Sequence, residues 1–328
     1  MEVIHVLDWI QVTLVSLVAL IVLDATVGRW LLALTTTFRF TQTPGDTPES
    51  KRLLVYLPGT LFDGDESVAE IKHAMLAPVA AGMFVSYGFW RFIPKRVTRK
   101  TAAAIGDMND PTQKYTSIVL VGASFGGRVA ADVSLLLQTQ YGWRRSSVST
   151  IEVSVDTQPS IAVIAVDTPC ETNSFLNPGR RVSLIMRWVF AGPIVSIVLW
   201  PILRMLLVPP YDEDIEVGED LLDVDKVKQL AVKRMARFMF SAICDQQRYL
   251  ADNSIEWVLG MKGLDVVYLS CDRNNITVLQ PAARNKLELY LEGEVHSFAS
   301  RSVASPHCGF LQLRYTWAKV LREVLEAL

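Results

Sequence analysis

Residues 117–138 read SIVLVGASFGGRVAADVSLLLQ. An apolar, β-branched run ends at Gly122, Ser124 follows two residues later, and Gly126 and Gly127 come directly after it. From Arg128 to Gln140 the apolar residues recur at helical spacing. The pattern predicts a strand buried on both faces, a tight turn, and a helix. At the junction stands G-x-S-x-G, Gly122-Ala123-Ser124-Phe125-Gly126. A turn this sharp strains the backbone at the serine and admits only small neighbours. It lifts the hydroxyl clear of the sheet at a helix N-terminus, where backbone N–H groups face developing negative charge. The alternative is a serine that only caps the helix. The strand before it and the helix after it favour a nucleophile.

The same alternation extends outward. Short apolar runs at 53–59, 83–89, 117–122, 161–169, 265–271 and 295–300 predict strands. Between and after them, 68–81, 97–108, 128–140 and 310–328 predict helices. Strands alternating with helices imply an α/β domain with a mostly parallel sheet flanked by helices.

The stretch around Ser124 resembles the nucleophile elbow of the α/β-hydrolase superfamily, in the manner of serine esterases and lipases. The resemblance runs from about residue 53 to the end, in the order that fold requires. LLVYLPGT looks like its third strand and oxyanion loop, with Pro58-Gly59 where many members have His-Gly. That match implies that the N–H groups of Thr60 and Phe125 hold the oxyanion. DVVYLSCDRNN looks like the strand and loop that carry the triad acid, and SVASPHCGFLQLRYTWAKVL like the histidine loop and closing helix.

The chain has four histidines, His5, His73, His296 and His307. His5 precedes the first apolar run, His73 falls in a predicted helix, and His296 lies within the last predicted strand. His307 follows a polar loop and directly precedes the final helix, so it is the expected general base. Asp272 is the expected acid, the only carboxylate in the loop after VVYLSC. In the superfamily the acid often lies a residue or two further on, where this chain has Asn274 and Asn275. Asp167, at the end of IAVIAVD, is the second candidate, and a site with no true acid is the third. Asn275-Ile276-Thr277 fits a glycosylation sequon without functional weight in this position.

Half of the residues are hydrophobic, and the mean hydropathy is positive. Much of this comes from residues 9–34. The run Trp9–Leu23 has no charge, and apolar character resumes in WLLAL after Asp24 and Arg29. From Trp9 to Trp30 is about 22 residues, close to the ~20 that cross a bilayer, with a tryptophan at each end. Nothing basic precedes the run, which argues against a cleaved signal peptide. Arg29, Arg39, Lys51 and Arg52 follow it, and the positive-inside rule then places the main domain in the cytoplasm. The expected organisation is an anchor at 1–40, a linker at 41–51, hydrolase core at 52–169, a helical cap or lid at 170–258, and the rest of the core at 259–328.

The insertion holds a second apolar segment, WVFAGPIVSIVLWPIL (188–203), broken by Pro193 and Pro201 and bracketed by arginines. A single crossing there would put Ser124 on one side of the membrane and Asp272 and His307 on the other. It therefore reads as a lid at the interface or over an apolar pocket, or as an ordinary buried cap helix. The acidic run 211–225 lacks the ligand spacing of a Ca²⁺ loop. The basic amphipathic stretch 225–250 suits a cap helix that touches anionic lipid.

Lys and Arg total 32 against 34 Asp and Glu, so no charge excess points to nucleic acid. The four cysteines have no metal or CxxC spacing and read as reduced thiols. No metal or organic cofactor is implied. The expectation is a membrane-associated serine hydrolase acting on carboxylic esters or thioesters of lipid-like substrates through an acyl-enzyme. The rivals are an acyltransferase with the same triad and a non-catalytic binding protein of the same fold.

Overall fold

Strands form where β-branched apolar runs can be buried on both faces, and the sheet is built around them. The computed structural model describes residues 2–28, 30–31, 38–43, 51–57, 59, 81–87, 94–108, 115–143, 159–168, 192, 194–195, 198, 260–272, 295, 297–305 and 314–328. Helix α1 (Glu2–Leu23) continues into a π-helical turn, Asp24–Gly28. Then come β1 (Phe38–Thr43), β2 (Arg52–Leu57), β3 (Ala81–Tyr87) and α2 (Pro94–Met108). They are followed by β4 (Ser117–Ala123), α3 (Phe125–Gln140), β5 (Ser160–Val166), β6 (Asp265–Cys271), β7 (Ser297–Val303) and α4 (Arg314–Ala327).

The seven strands form one sheet in the order β1-β3-β2-β4-β5-β6-β7. Only β1 is antiparallel, against β3; the pairings from β3 through β7 are parallel. β1 is a finding beyond the sequence reading, which ended the anchor at residue 40 and began a linker at 41. The last strand lies at Ser297–Val303 rather than 295–300, and α3 begins at Phe125 rather than Arg128. Ala81, expected to end a helix, is the first residue of β3. The rest of the expected helix 68–81 lies outside the described residues, as do the stretches 211–225 and 225–250.

Alternate side chains of the parallel strands feed two cores. On one face Leu53, Val55, Leu57, Ile118, Leu120, Ile161 and Val163 pack with Val97 and Ile105 of α2 and Val129, Val133 and Leu137 of α3. On the other face Leu54, Tyr56, Val119, Val121, Ile164, Val166 and Leu269 pack with Trp317, Leu321 and Leu325 of α4. Each such side chain contributes roughly 1.5–3 kcal/mol on burial.

Polar contacts fix how the outer elements seat. The Arg52 guanidinium donates to the Leu325 carbonyl in the last turn of α4, where a cation complements the helix dipole. Arg301 of β7 donates to the Glu323 carboxylate of α4 at 2.6 Å, and this hydrogen bond holds the Glu323 pKa below its ordinary value. The turn before β6 docks on α3: the Gly260 carbonyl accepts from Ser134 Oγ and from Gln138 Nε2. A Cβ at Gly260 would stand 2.1 Å from the Ala131 carbonyl oxygen, so only glycine permits this approach.

Trp317 is fully buried, and its indole N–H donates to Ser305 Oγ at 3.0 Å. Trp317→Ala should cost about 3–5 kcal/mol through the cavity it leaves. Trp317→Phe should cost about 1–3 kcal/mol, because the buried Ser305 hydroxyl loses its donor. Urea unfolding of the purified chain checks both values.

Candidate active site

The C-terminal ends of the parallel strands form one edge of the sheet, the edge at which open α/β sheets bind their ligands. Register lines up the residues that emerge there. Leu57 pairs with Gly122, Ala123 with Val166, Val166 with Leu269, and Leu269 with Arg301. Continuing these rows by one or two residues puts Gly59, Ser124 and Asp167 side by side. Asp272 stands two residues further out along β6.

Ser124 joins β4 to α3 with φ 51° and ψ −124°, a conformation that non-glycine residues rarely adopt. Its side chain makes no capping hydrogen bond to α3. It is half-buried, while every other residue from 118 to 131 is fully buried. The backbone is pinned from two sides. Ser124 N–H donates to the Val166 carbonyl at 2.7 Å, extending the ladder to β5, and Gly127 N–H donates to the Ser124 carbonyl at 3.1 Å.

The glycines around it are there for space. A Cβ at Gly122 would lie 2.3 Å from Gly127 Cα and 2.4 Å from the Gly126 carbonyl oxygen. A Cβ at Gly127 would lie 1.8 Å from Thr168 Oγ1, and one at Gly59 would lie 2.8 Å from Ser124 Cβ. Gly127, outside the five-residue motif, is thus the residue that lets α3 pack against both β4 and the end of β5. The loop after β2 meets Ser124 at Gly59. Phe125, whose N–H was expected to face an oxyanion, is the first residue of α3 and is buried. Thr60, the other expected donor, lies outside the described residues.

The two candidate acids differ in setting. Asp167 is buried and also has positive φ, 49°. Its N–H donates to the Leu269 carbonyl at 2.7 Å, and its Oδ1 accepts from Cys271 N–H at 3.4 Å. Asp272 is exposed. Its N–H donates to the Val303 carbonyl at 3.0 Å, and its Oδ1 accepts from Ser305 N–H at 3.2 Å. Ser305 is itself buried and held by Trp317. The Asp272 carboxylate therefore sits against the start of the loop that leads to His307. His307, His296, His73, Asn274 and Asn275 lie outside the described residues. Neither the Ser305–Trp317 contact nor the role of Gly127 was foreseen; the adjacency of Gly127 to the motif was the one available signal.

No protein-family model matches this sequence, and no curated protein sequence matches it. Solved structures do match. The enol-lactonase from Burkholderia xenovorans LB400 aligns with TM-score 0.54 at 9% identity, over 89% of this chain and 97% of that one. The monoacylglycerol lipase of Paleococcus ferrophilus aligns with TM-score 0.51 at 12% identity, over 89% and 98%. The peroxisomal α/β-hydrolase Lpx1 of Saccharomyces cerevisiae aligns with TM-score 0.51 at 10% identity, over 89% of each chain. This chain has the α/β-hydrolase fold. In that fold the strand–turn–helix at Ser124 lies between the central strands, flanked by the ends of β2 and β5.

The packing at the turn is testable. Gly122→Ala should destabilise by about 1–3 kcal/mol, because the added methyl meets backbone atoms that cannot move away. Gly127→Ala should cost a similar amount, but its clash is with the Thr168 side chain. Adding Thr168→Ala should recover part of that loss, and no such recovery is expected with Gly122→Ala. A double-mutant cycle in urea unfolding reads the difference.

Proposed function

We propose that this chain is a membrane-associated serine hydrolase that cleaves carboxylic ester or thioester bonds of apolar, lipid-like substrates through an acyl-enzyme. The observation that carries the proposal is the state of Ser124: positive φ, no capping hydrogen bond, and access to solvent within a buried stretch. A serine serving only as a helix cap would spend its hydroxyl on α3. Strain held in place by surrounding contacts, here about 1–3 kcal/mol, collects at reactive positions.

In the proposed reaction Ser124 Oγ attacks the acyl carbonyl while His307 takes its proton. The carbonyl oxygen becomes an oxyanion held by the N–H groups of Thr60 and Phe125, the latter at the positive end of the α3 dipole. The tetrahedral species collapses to the acyl-enzyme as His307 protonates the departing alcohol or thiol. Water then attacks, with His307 again as base, and frees the acid and Ser124. Asp272 orients the imidazole. Its hydrogen bond from Ser305, two residues before His307, supports this role over Asp167, whose carboxylate is bonded to the β6 backbone.

Membrane association is supported by the N-terminal helix. The span Val6–Gly28 is 23 residues long, and an 18-residue stretch within it has a mean hydropathy of 2.3 and is not buried against the domain. An enzyme held at a bilayer meets its most concentrated substrate in the membrane plane.

A fluorophosphonate should label Ser124, and Ser124→Ala should abolish labelling while leaving the fold intact; labelling that persists would refute the nucleophile. His307→Ala should lower kcat at least ~10³-fold, while His296→Ala should act mainly on stability. Asp272→Asn should be far more damaging than Asp167→Asn, and the reverse order would move the acid to β5. Activity should rise about tenfold or more from acetyl to octanoyl p-nitrophenyl esters, since each buried methylene adds binding available to the transition state.

A further inference from the structure

Along α1 the described side chains are exposed apart from the half-buried Ile21, and full burial begins at Asp24 and Ala25. They lie against a segment some 170 residues away in sequence. Asp24 Oδ1 accepts from Ile194 N–H at 3.0 Å, and Oδ2 accepts from Val195 N–H at 2.9 Å. A Cβ at Gly192 would stand 2.2 Å from Oδ2 and 2.6 Å from Cγ, so the carboxylate occupies the space a side chain would fill. The π-helical turn Asp24–Gly28 widens the helix at this position, the kind of bulge that recurs at functional points.

The clamped segment turns apolar side chains outward. Ile194 and Val198 are helical, one turn apart on the same face, and 62% and 67% exposed. They add to the exposed apolar surface of α1, from Val6 through Leu23, with Trp9 in its second turn and Trp30 beyond the π-helical turn also exposed. A helical span of 23 residues is about 34 Å long, enough for a hydrocarbon core of about 30 Å. A carboxylate at the end of such a span is tolerated when its oxygens are satisfied within the protein, and two backbone N–H groups do that here.

We propose that Ile194, Val195 and Val198 belong to a second membrane-embedded element, docked on the end of the N-terminal helix through the Asp24 carboxylate. The occupant of the combined apolar surface is a lipid bilayer. This rests on the membrane reading of α1 and adds that the insertion following β5 enters the bilayer with it. The clamp thus ties Gly192, Ile194 and Val195 to the helix that carries Asp24.

The test uses the full chain in phosphatidylcholine vesicles containing radiolabelled phosphatidylcholine, with benzoylphenylalanine introduced at Val198 or, separately, at Leu14. Both positions are expected to give lipid adducts. Asp24→Ala should reduce adducts at position 198 by about fivefold or more while position 14 keeps its yield, since only the clamp is lost. Gly192→Val leaves Asp24 in place and crowds its carboxylate, so it should give the same selective loss. It decides the matter if Asp24→Ala also disturbs insertion at position 14. Adducts at 14 and none at 198 in the unaltered chain would overturn the second element and leave the anchor standing. Adducts at neither position would overturn the membrane reading and this inference together. Unchanged labelling at 198 in both variants would overturn the clamp.

Discussion

Ser124 is held in a backbone conformation that serine does not choose by itself, and the neighbouring elements are arranged to keep it there. Its N–H completes the ladder to Val166, its carbonyl receives Gly127, and Gly122 and Gly127 approach so closely that neither could carry a Cβ. These contacts exist only if β4 lies beside β5 and α3 leaves at once after the turn. The central sheet order and the strained serine therefore depend on each other. The stability lost to positive φ is returned by the burial of β4 and α3, where Val119, Leu120, Val121, Val129 and Val133 have no exposed surface.

Beyond β5 the same edge continues with hydrogen bonds of one kind. Ser124, Asp167 and Asp272 each follow a strand end and donate an N–H to a carbonyl of the next strand. The backbone thus stays ordered just where side chains leave the sheet. Asp272 then reaches across to Ser305, and Ser305 is fixed by Trp317 in the core under α4. A packing residue on the far face of the sheet consequently governs where the loop towards His307 begins.

The sequence carried much of this because the determining forces were local. Unbroken β-branched runs predict doubly buried strands, and glycines around one serine predict a sharp strand-to-helix turn. What escaped depended on partners distant in the chain. β1, FRFTQT, is short, has only two apolar residues and lies between an apolar helix and a turn-rich stretch, so its pairing with β3 carries no strong local signal. The last strand begins two residues later and ends three later than expected because SFASRSV is mostly small and polar; parallel pairing to β6 sets its limits. Asp24 read only as an interruption in an apolar run. Its bonding to Ile194 and Val195 joins positions that no periodicity links. Asp167 and Asp272 both stand out as carboxylates after strands, and their burial, backbone conformation and bonding partners separate them.

The central claim is that the strained Ser124 is the covalent nucleophile of a site assembled from the ends of β2, β4, β6 and β7. Its most direct test is a crystal structure of the full chain after reaction with a phosphonate ester. The account predicts continuous density from Ser124 Oγ to phosphorus. The phosphonyl oxygen should lie about 2.7–3.1 Å from the N–H groups of Phe125 and Thr60, with the His307 imidazole between Ser124 and Asp272. An adduct on another residue, or a His307 ring remote from Ser124, would contradict it.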